Sequence, residues 1–419
     1  MFFRKENEGI TLIALVITII VLLILAGITI ATLTGDNGIL TKVNEAKKAT
    51  TEADAIESVK VEVMGSYGTD GKINIETLNN NLSNIIGLKY NGKDISENNK
   101  ILGENLSSAI VKVNGYYIEI TLEGKVSRII TLEEAKSEKI VFKENTIIVD
   151  EYENRIMIPE GFKVASDSAT DVTGGIVIED ATYINTIGSQ FVWIPVGKVN
   201  DAEKVETITL ARYTFASDGK PSAYSGSFTE DTGKNHDSRY GNKIAKDVED
   251  FKTKVINSSG YWIGRYEAGK ENNNLVCKYD KGVYNKVTQL QASILSQDMY
   301  KNRTFTSDLV NSYAWDTAIV FIQKFSGDTK YSKKGRYEAK LANTGKATDG
   351  INNDVRCNIY DMAGNCYEWT TETYNSIATP CVMRSGSYWD GSGCTSNRGY
   401  RPVNYNNGDD GSFRMILYL

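Results

Sequence analysis

Residues 10–35 (ITLIALVITIIVLLILAGITIATLTG) carry no charged side chain, and nothing else in this 419-residue chain constrains its fold as tightly. As a helix at 1.5 Å per residue, the core from Ile10 to Ile30 spans roughly 31 Å, about one bilayer hydrocarbon layer. A globular core seldom holds so long a helix without a polar face. A cleaved signal peptide needs a small-residue site after the run, and Ala31-Thr32-Leu33-Thr34 is a poor one. The run therefore predicts a membrane-spanning helix. After the turn-forming residues 35–38 (GDNG), Leu40, Val43, Ala46, Ala53, Ile56 and Val59 recur at near-helical spacing. This predicts a stalk helix continuing to about residue 64. Arg4 and Lys5 on one side balance Lys42, Lys47 and Lys48 on the other, so the positive-inside rule does not set the orientation.

The residues before the run, MFFRKENEG, end in Gly9. A short charged leader, a glycine and then an uncharged helix resemble the leader of type IV prepilins. The resemblance implies cleavage by a prepilin peptidase between Gly9 and Ile10, with the helix retained. It further implies a single-pass protein of the cell membrane with its C-terminal domain extracytoplasmic, and pilin-like subunits as partners. Pilins usually carry a glutamate at the fifth mature position, where this chain has Ala14. A carboxylate in lipid is costly unless paired, so a device for filament assembly is missing.

Composition excludes several function classes. Lys and Arg number 47 against 53 Asp and Glu, a net charge of −6 that gives no reason to expect a nucleic-acid partner. With His236 as the single histidine, multi-histidine metal sites cannot be built, and any Ser-His-Asp or Cys-His device would run through that residue. Five cysteines form no C-x-x-C, which argues against a zinc ribbon or a thioredoxin-like pair.

No proline precedes Pro159, and every tryptophan and cysteine lies at or beyond Trp193. That shift predicts two different soluble parts. Residues 65–130 read as a small α+β head. It has a helix over 76–86 and strands at 109–113 and 116–122 split by Asn114-Gly115. The Asn-rich stretches 79–81 and 96–100 read as surface, and 131–150 as a polar linker. Residues 151–419 are rich in Tyr, Trp, Gly and Asn with short apolar runs, which predicts a loop-rich α+β domain. Trp193, Trp262 and Trp369 are expected in its core.

Three segments of this last part carry a family pattern. GYWIGRYEAG (260–269), NIYDMAGNCYEWTTETY (358–374), and RSGSYW (384–389) with GSFRMILYL (411–419) resemble the formylglycine-generating enzyme superfamily. The fold implied is that superfamily's C-type-lectin-like variant. The whole chain is thus expected as α+β: leader 1–9, transmembrane and stalk helix 10–64, pilin-like head 65–130, linker 131–150, and lectin-like domain 151–419. The superfamily's oxidases hold copper with two cysteines after the GGSY strand. Here only Cys394 stands in 385–401, with Asp390 or Gly391 near the other place, and the RLPTEAEWEYA segment is absent. A formylglycine-generating oxidoreductase is therefore the second reading, and a non-enzyme the first. The resemblance also implies a structural calcium at Gly364, Asn365, Cys366 and Glu368, whose hard oxygens suit that ion.

Between these closing motifs, residues 390–411 (DGSGCTSNRGYRPVNYNNGDDG) have almost no apolar side chains. Tyr, Ser, Gly and Asn with occasional Arg is also the composition of antibody-like paratopes. Set in a lectin-like fold, the segment resembles the variable region of diversity-generating retroelement target proteins. The expected ligand-contacting residues are Tyr388, Asp390, Ser392, Thr395, Asn397, Arg398, Tyr400, Arg401, Asn404, Tyr405, Asn406, Asn407 and Asp409, with Trp389 as fixed scaffold. The first functional reading is a membrane-anchored display protein that binds a protein or carbohydrate ligand. A minor pilin or pseudopilin of a secretion or pilus system is the third.

Overall fold

The computed structural model describes residues 16–24, 38–102, 108–202, 204–233, 243–335, 340–348, 353–390, 393–406 and 408–419. Gly9, Ile10 and His236 lie outside these residues, as does most of the 10–35 run. Residues 16–24 are helical, and their apolar side chains from Val16 to Ile24 are exposed. Among the described residues no helix is long and apolar enough to cross a membrane. The chain forms two compact units, Met1–Ile129 and Ile130–Leu419, each a mixture of helix and sheet.

In the first unit the helix Ile39–Met64 ends where the sequence predicts, and of the spaced apolar residues Val59 is buried and Ile56 packs against the core. Ala55, Val59 and Val63, four residues apart, enter the core. Leu40, Val43, Ala46 and Ala53 are exposed, because only the last turns meet the rest of the unit. There they join Leu78 and Leu82 of the helix Ile75–Leu82 and Val111, Val113, Ile118 and Ile120 of the hairpin. The hairpin pairs Ser108–Val113 with Tyr116–Thr121. Asn114 (φ 51°) and Gly115 (φ 89°) supply the two left-handed residues of a type I′ turn. Asn79 is not surface: it is buried, its Nδ2 donating to the Ile101 carbonyl at 2.9 Å and its Oδ1 accepting from the Ile101 N–H at 2.7 Å.

Residues 131–150 are not a linker. Thr131 and Glu134 make a reciprocal capping box that starts the helix Leu132–Ser137. Leu132, Ala135, Phe142 and Ile148 are then buried in the main core of the second unit. Six antiparallel strands organise that core, in the order Thr306–Leu309, Met415–Tyr418, Gly260–Gly264, Gln190–Pro195, Val177–Asp180 and Phe162–Val164. The central strands read as unbroken apolar runs because both faces are covered. Trp193 and Trp262 stand side by side, ring centroids 5.0 Å apart. The closing strand Met415–Tyr418 is wholly buried, so the chain's last residues are structural.

A second sheet carries the C-terminal segment. Its path is Phe228–Glu230, Tyr367–Tyr374, Cys381–Arg384 and Arg398–Arg401, with Gly411–Phe413 parallel to the start of Tyr367–Tyr374. The helix Ser312–Phe325, capped by Asn311, is apolar around almost its whole circumference and buried from Ser312 to Ile322 except at Tyr313. One acid, Asp316, is buried in it.

The sheet core leaves no space at Gly260. A Cβ there would stand 2.4 Å from Trp193 Cζ2 and 2.6 Å from the Ile194 carbonyl oxygen. Gly260→Ala should lower the stability of the second unit by about 1–3 kcal/mol, read as an earlier denaturant midpoint for the Trp fluorescence transition. All five tryptophans lie in that unit, so the signal reports it selectively. An unchanged midpoint would contradict the packing described.

Candidate functional site

The C-terminal segment is fixed by a buried ion cluster that spans four elements. Asp316 comes from the helix, Glu372 from the strand Tyr367–Tyr374, Arg384 from its neighbour, and Arg398 from the edge strand. Arg384 reaches Asp316 at 2.5 Å and Glu372 at 3.0 Å. Arg398 bridges the same acids at 2.6 and 2.7 Å. Arg212 adds a 2.8 Å contact to Glu372. Arg384 and Arg398 thus each use a planar fork to span two carboxylates, which a lysine's point charge cannot reproduce. Burial alone would raise the Glu372 pKa, but Arg384, Arg398 and Arg212 hold it down at about 2. Glu230 lies next to Glu372 across the sheet and accepts from Ser312 and Thr371. Burial, then the Glu372 charge, pushes its pKa up to about 7.

Strand alternation then sorts the predicted contact residues. Arg398 and Tyr400 project to the cluster side, where Tyr400 stacks on Tyr374 at 5.0 Å and Tyr374 packs on Phe228 at 5.1 Å. Arg401 projects to the other side, over the rings of Tyr367 (5.5 Å) and Tyr405 (5.3 Å). Tyr405 in turn packs edge-on to buried Trp369. Tyr400 and Arg401, consecutive in sequence, therefore cannot serve one patch. On the Arg401 side the Tyr367 hydroxyl binds the Asp390 carboxylate. The Tyr388 N–H donates to the Asn365 carbonyl at 2.8 Å and fixes the turn that leads there.

Two expected contact residues are scaffold. Thr395 is fully buried: its N–H and hydroxyl donate to the Lys334 carbonyl, and its own carbonyl accepts the Trp315 indole N–H at 2.9 Å. Arg398 is consumed by Asp316 and Glu372. Trp389, expected as scaffold, is instead 75% exposed. Asn397, Tyr400, Asn404, Asn406 and Asp409 are exposed, and Asp409 pairs with Lys286 at 2.8 Å. Ser392 and Asn407 lie outside the described residues.

The residues expected to hold calcium do not fit the ion. The Glu368 carboxylate is taken by Arg414 at 2.6 and 3.0 Å, both side chains fully buried. The Asn365 amide joins Glu267 (2.7 Å) to the backbone of Ala342, the Cys366 N–H donates to Glu267 at 3.1 Å, and the Gly364 carbonyl accepts from Cys366. The Arg414 guanidinium here lies beside Glu368 and Glu267. Burial, reinforced by Asp361 and Glu368, pushes the Glu267 pKa well above the carboxylate range. Among the described residues no three His, Cys, Asp or Glu side chains converge to hold a metal. Cys394 is half-buried and in no disulfide, its thiol donating to Asn397 Oδ1 at 3.3 Å.

The buried charges give two stability expectations. Glu230, raised to about 7, holds a proton in the folded state that the unfolded chain loses near pH 4.5. Stability therefore falls as pH rises through that window. Glu230→Gln, which keeps an acceptor for Ser312, should match the parent at pH 4.5 and exceed it at pH 8 in urea denaturation. Glu372, lowered to about 2, contributes above pH 4.5 and loses that contribution as pH falls towards 2. Arg398→Ala leaves two buried carboxylates short of a partner and should cost about 3–5 kcal/mol at neutral pH. Equal stability of all three proteins at pH 8 would contradict the cluster.

No family model and no curated protein matches this chain. Among solved structures it is similar to CarF, with 13% identity over 38% of this chain and 87% of that one, at a TM-score of 0.29. It is similar to PvdO from Pseudomonas aeruginosa, with 14% identity over 55% and 95% of the two chains, at a TM-score of 0.30. It is similar to the I1 variant of the Major Tropism Determinant, with 10% identity over 76% and 82%, at a TM-score of 0.27. Similarities this distant carry no argument about what the chain binds or does.

Proposed function

We propose that this protein is a membrane-anchored display protein whose C-terminal domain binds a macromolecular ligand and performs no chemistry. The observation that supports this is the division of labour within residues 384–409. Arg384, Thr395 and Arg398 are held inside by ion pairs and backbone hydrogen bonds, while Trp389, Asn397, Tyr400, Asn404 and Asn406 present polar and aromatic groups outward. Outward side chains that hold nothing together can change without loss of the fold. Such a surface is what a diversified binder needs. Anchoring rests on the uncharged 10–35 run, with a prepilin peptidase as the processing partner. Pilin-like assembly is the weaker reading, because Ala14 lacks the carboxylate that would pair with a neighbour's terminus.

Alanine at Trp389 or Tyr405 should weaken ligand binding by about tenfold or more, with the urea midpoint shifted less for Trp389. The gene offers a sharper check. Under the diversified reading, a nearby near-copy of codons 384–414 differs from them at adenines in the codons of outward residues. It should match at Arg384, Thr395 and Arg398. A near-copy whose differences fall on those three codons would sink the reading. So would copper-dependent conversion of a cysteine-containing peptide that disappears in Cys394→Ser, since this would make the protein an oxidase.

A further inference from the structure

The segment's acids are engaged and one of its cations is not. Asp390 accepts from the Tyr367 hydroxyl, Asp409 pairs with Lys286 at 2.8 Å, and Asp410 accepts from the Ser387 hydroxyl at 3.2 Å. Arg398 is buried in its ion cluster. Arg401 is half-buried between Tyr367 and Tyr405, its Nη1 donating to the Tyr400 carbonyl at 3.0 Å, and it makes no ion pair among the described residues. The rings hold the guanidinium by cation–π contact. Among the described residues the rest of its N–H fork has no hydrogen-bond acceptor, and the fork's geometry matches a carboxylate.

Resting on the binding reading above, we infer that Arg401, held by Tyr367 and Tyr405, is the recognition point for a side-chain carboxylate of an acidic polypeptide. Exposed Trp389, adjacent in sequence to the Asp390 that Tyr367 binds, supplies an apolar contact at the rim. The Arg401 guanidinium is donor-only and charged, so the charge it best complements is a carboxylate. The chain's net charge of −6 works against long-range attraction of an acidic partner. Recognition must come from this short-range contact, which the flanking rings strengthen by lowering the local dielectric.

The test is selection of a random-sequence peptide library on the full chain in detergent, with arrays of uronic-acid and neutral oligosaccharides in parallel. Retained peptides should be several-fold enriched in Asp and Glu. For a peptide so isolated, Arg401→Gln should weaken binding by about tenfold or more, as loss of a charged hydrogen bond does. Arg401→Lys should restore only part of it. Thermal melts of both variants should overlay the parent's, which separates recognition from folding. Retained peptides without acidic bias, still requiring Trp389 and Tyr405, would overturn the carboxylate inference and leave the binding surface standing. Peptides insensitive to all three residues, or none retained, would overturn both. Retention of uronic oligosaccharides alone, lost in Arg401→Gln, would overturn the polypeptide assignment.

Discussion

The buried contact of Arg384 and Arg398 with Asp316 and Glu372 is the constraint on which the C-terminal face depends. Taking these charges out of water costs several kcal/mol each, and the cost is offset only where the geometry answers every lone pair. Here both arginines span both acids at 2.5–3.0 Å. The consequence is directional. Three of the four groups lie on adjacent strands of one sheet and the fourth on a helix, so the edge strand Arg398–Arg401 cannot shift register without stranding a charge. An edge strand with few apolar side chains is otherwise poorly specified. The cluster substitutes charge pairing for the hydrophobic burial that the segment lacks.

The same reasoning explains why two buried acidic groups behave differently. In the cluster, three arginines face Asp316, Glu372 and the raised Glu230, so the ionised form of Glu372 is favoured. Around Arg414 the guanidinium is taken by Glu368, and burial, with Asp361 and Glu368 beside it, pushes the Glu267 pKa well above the carboxylate range. That second group joins the NIYDMAGN segment to the closing strand and leaves Glu368 no freedom to ligate an ion. Residues that resemble metal ligands in sequence here tie the fold together.

Much of this was legible in the sequence where apolar pattern or turn chemistry carried it. Asn114-Gly115 marked its hairpin because few other pairs adopt two left-handed conformations. The runs around Trp193 and Trp262 marked the central strands because burial on both faces leaves no polar alternation. The strand Arg398–Arg401 was not legible, since its inward residue is an arginine and hydrophobic periodicity is blind to it. Thr395 escaped for a related reason: backbone groups hold it, and they leave no trace in composition. The linker reading of 131–150 failed because a capping box and a few apolar residues suffice to dock a short helix. A signal for the cluster did exist. Asp316 inside SYAWDTAIVFIQKF and Arg384 at the end of CVMR are opposite charges set in apolar segments, and a buried charge requires a partner.

The central claim is that a buried ionic scaffold supports an independently variable outer face. Saturation mutagenesis across residues 384–414 and at Asp316 and Glu372, scored by protease resistance of the displayed chain, tests it most directly. The account predicts that Arg384, Thr395, Arg398, Arg414, Asp316 and Glu372 reject nearly every substitution, while Trp389, Asn397, Arg401, Asn404 and Asn406 accept most. Equal tolerance in the two sets, or collapse of the fold on changing the outward residues, would contradict it.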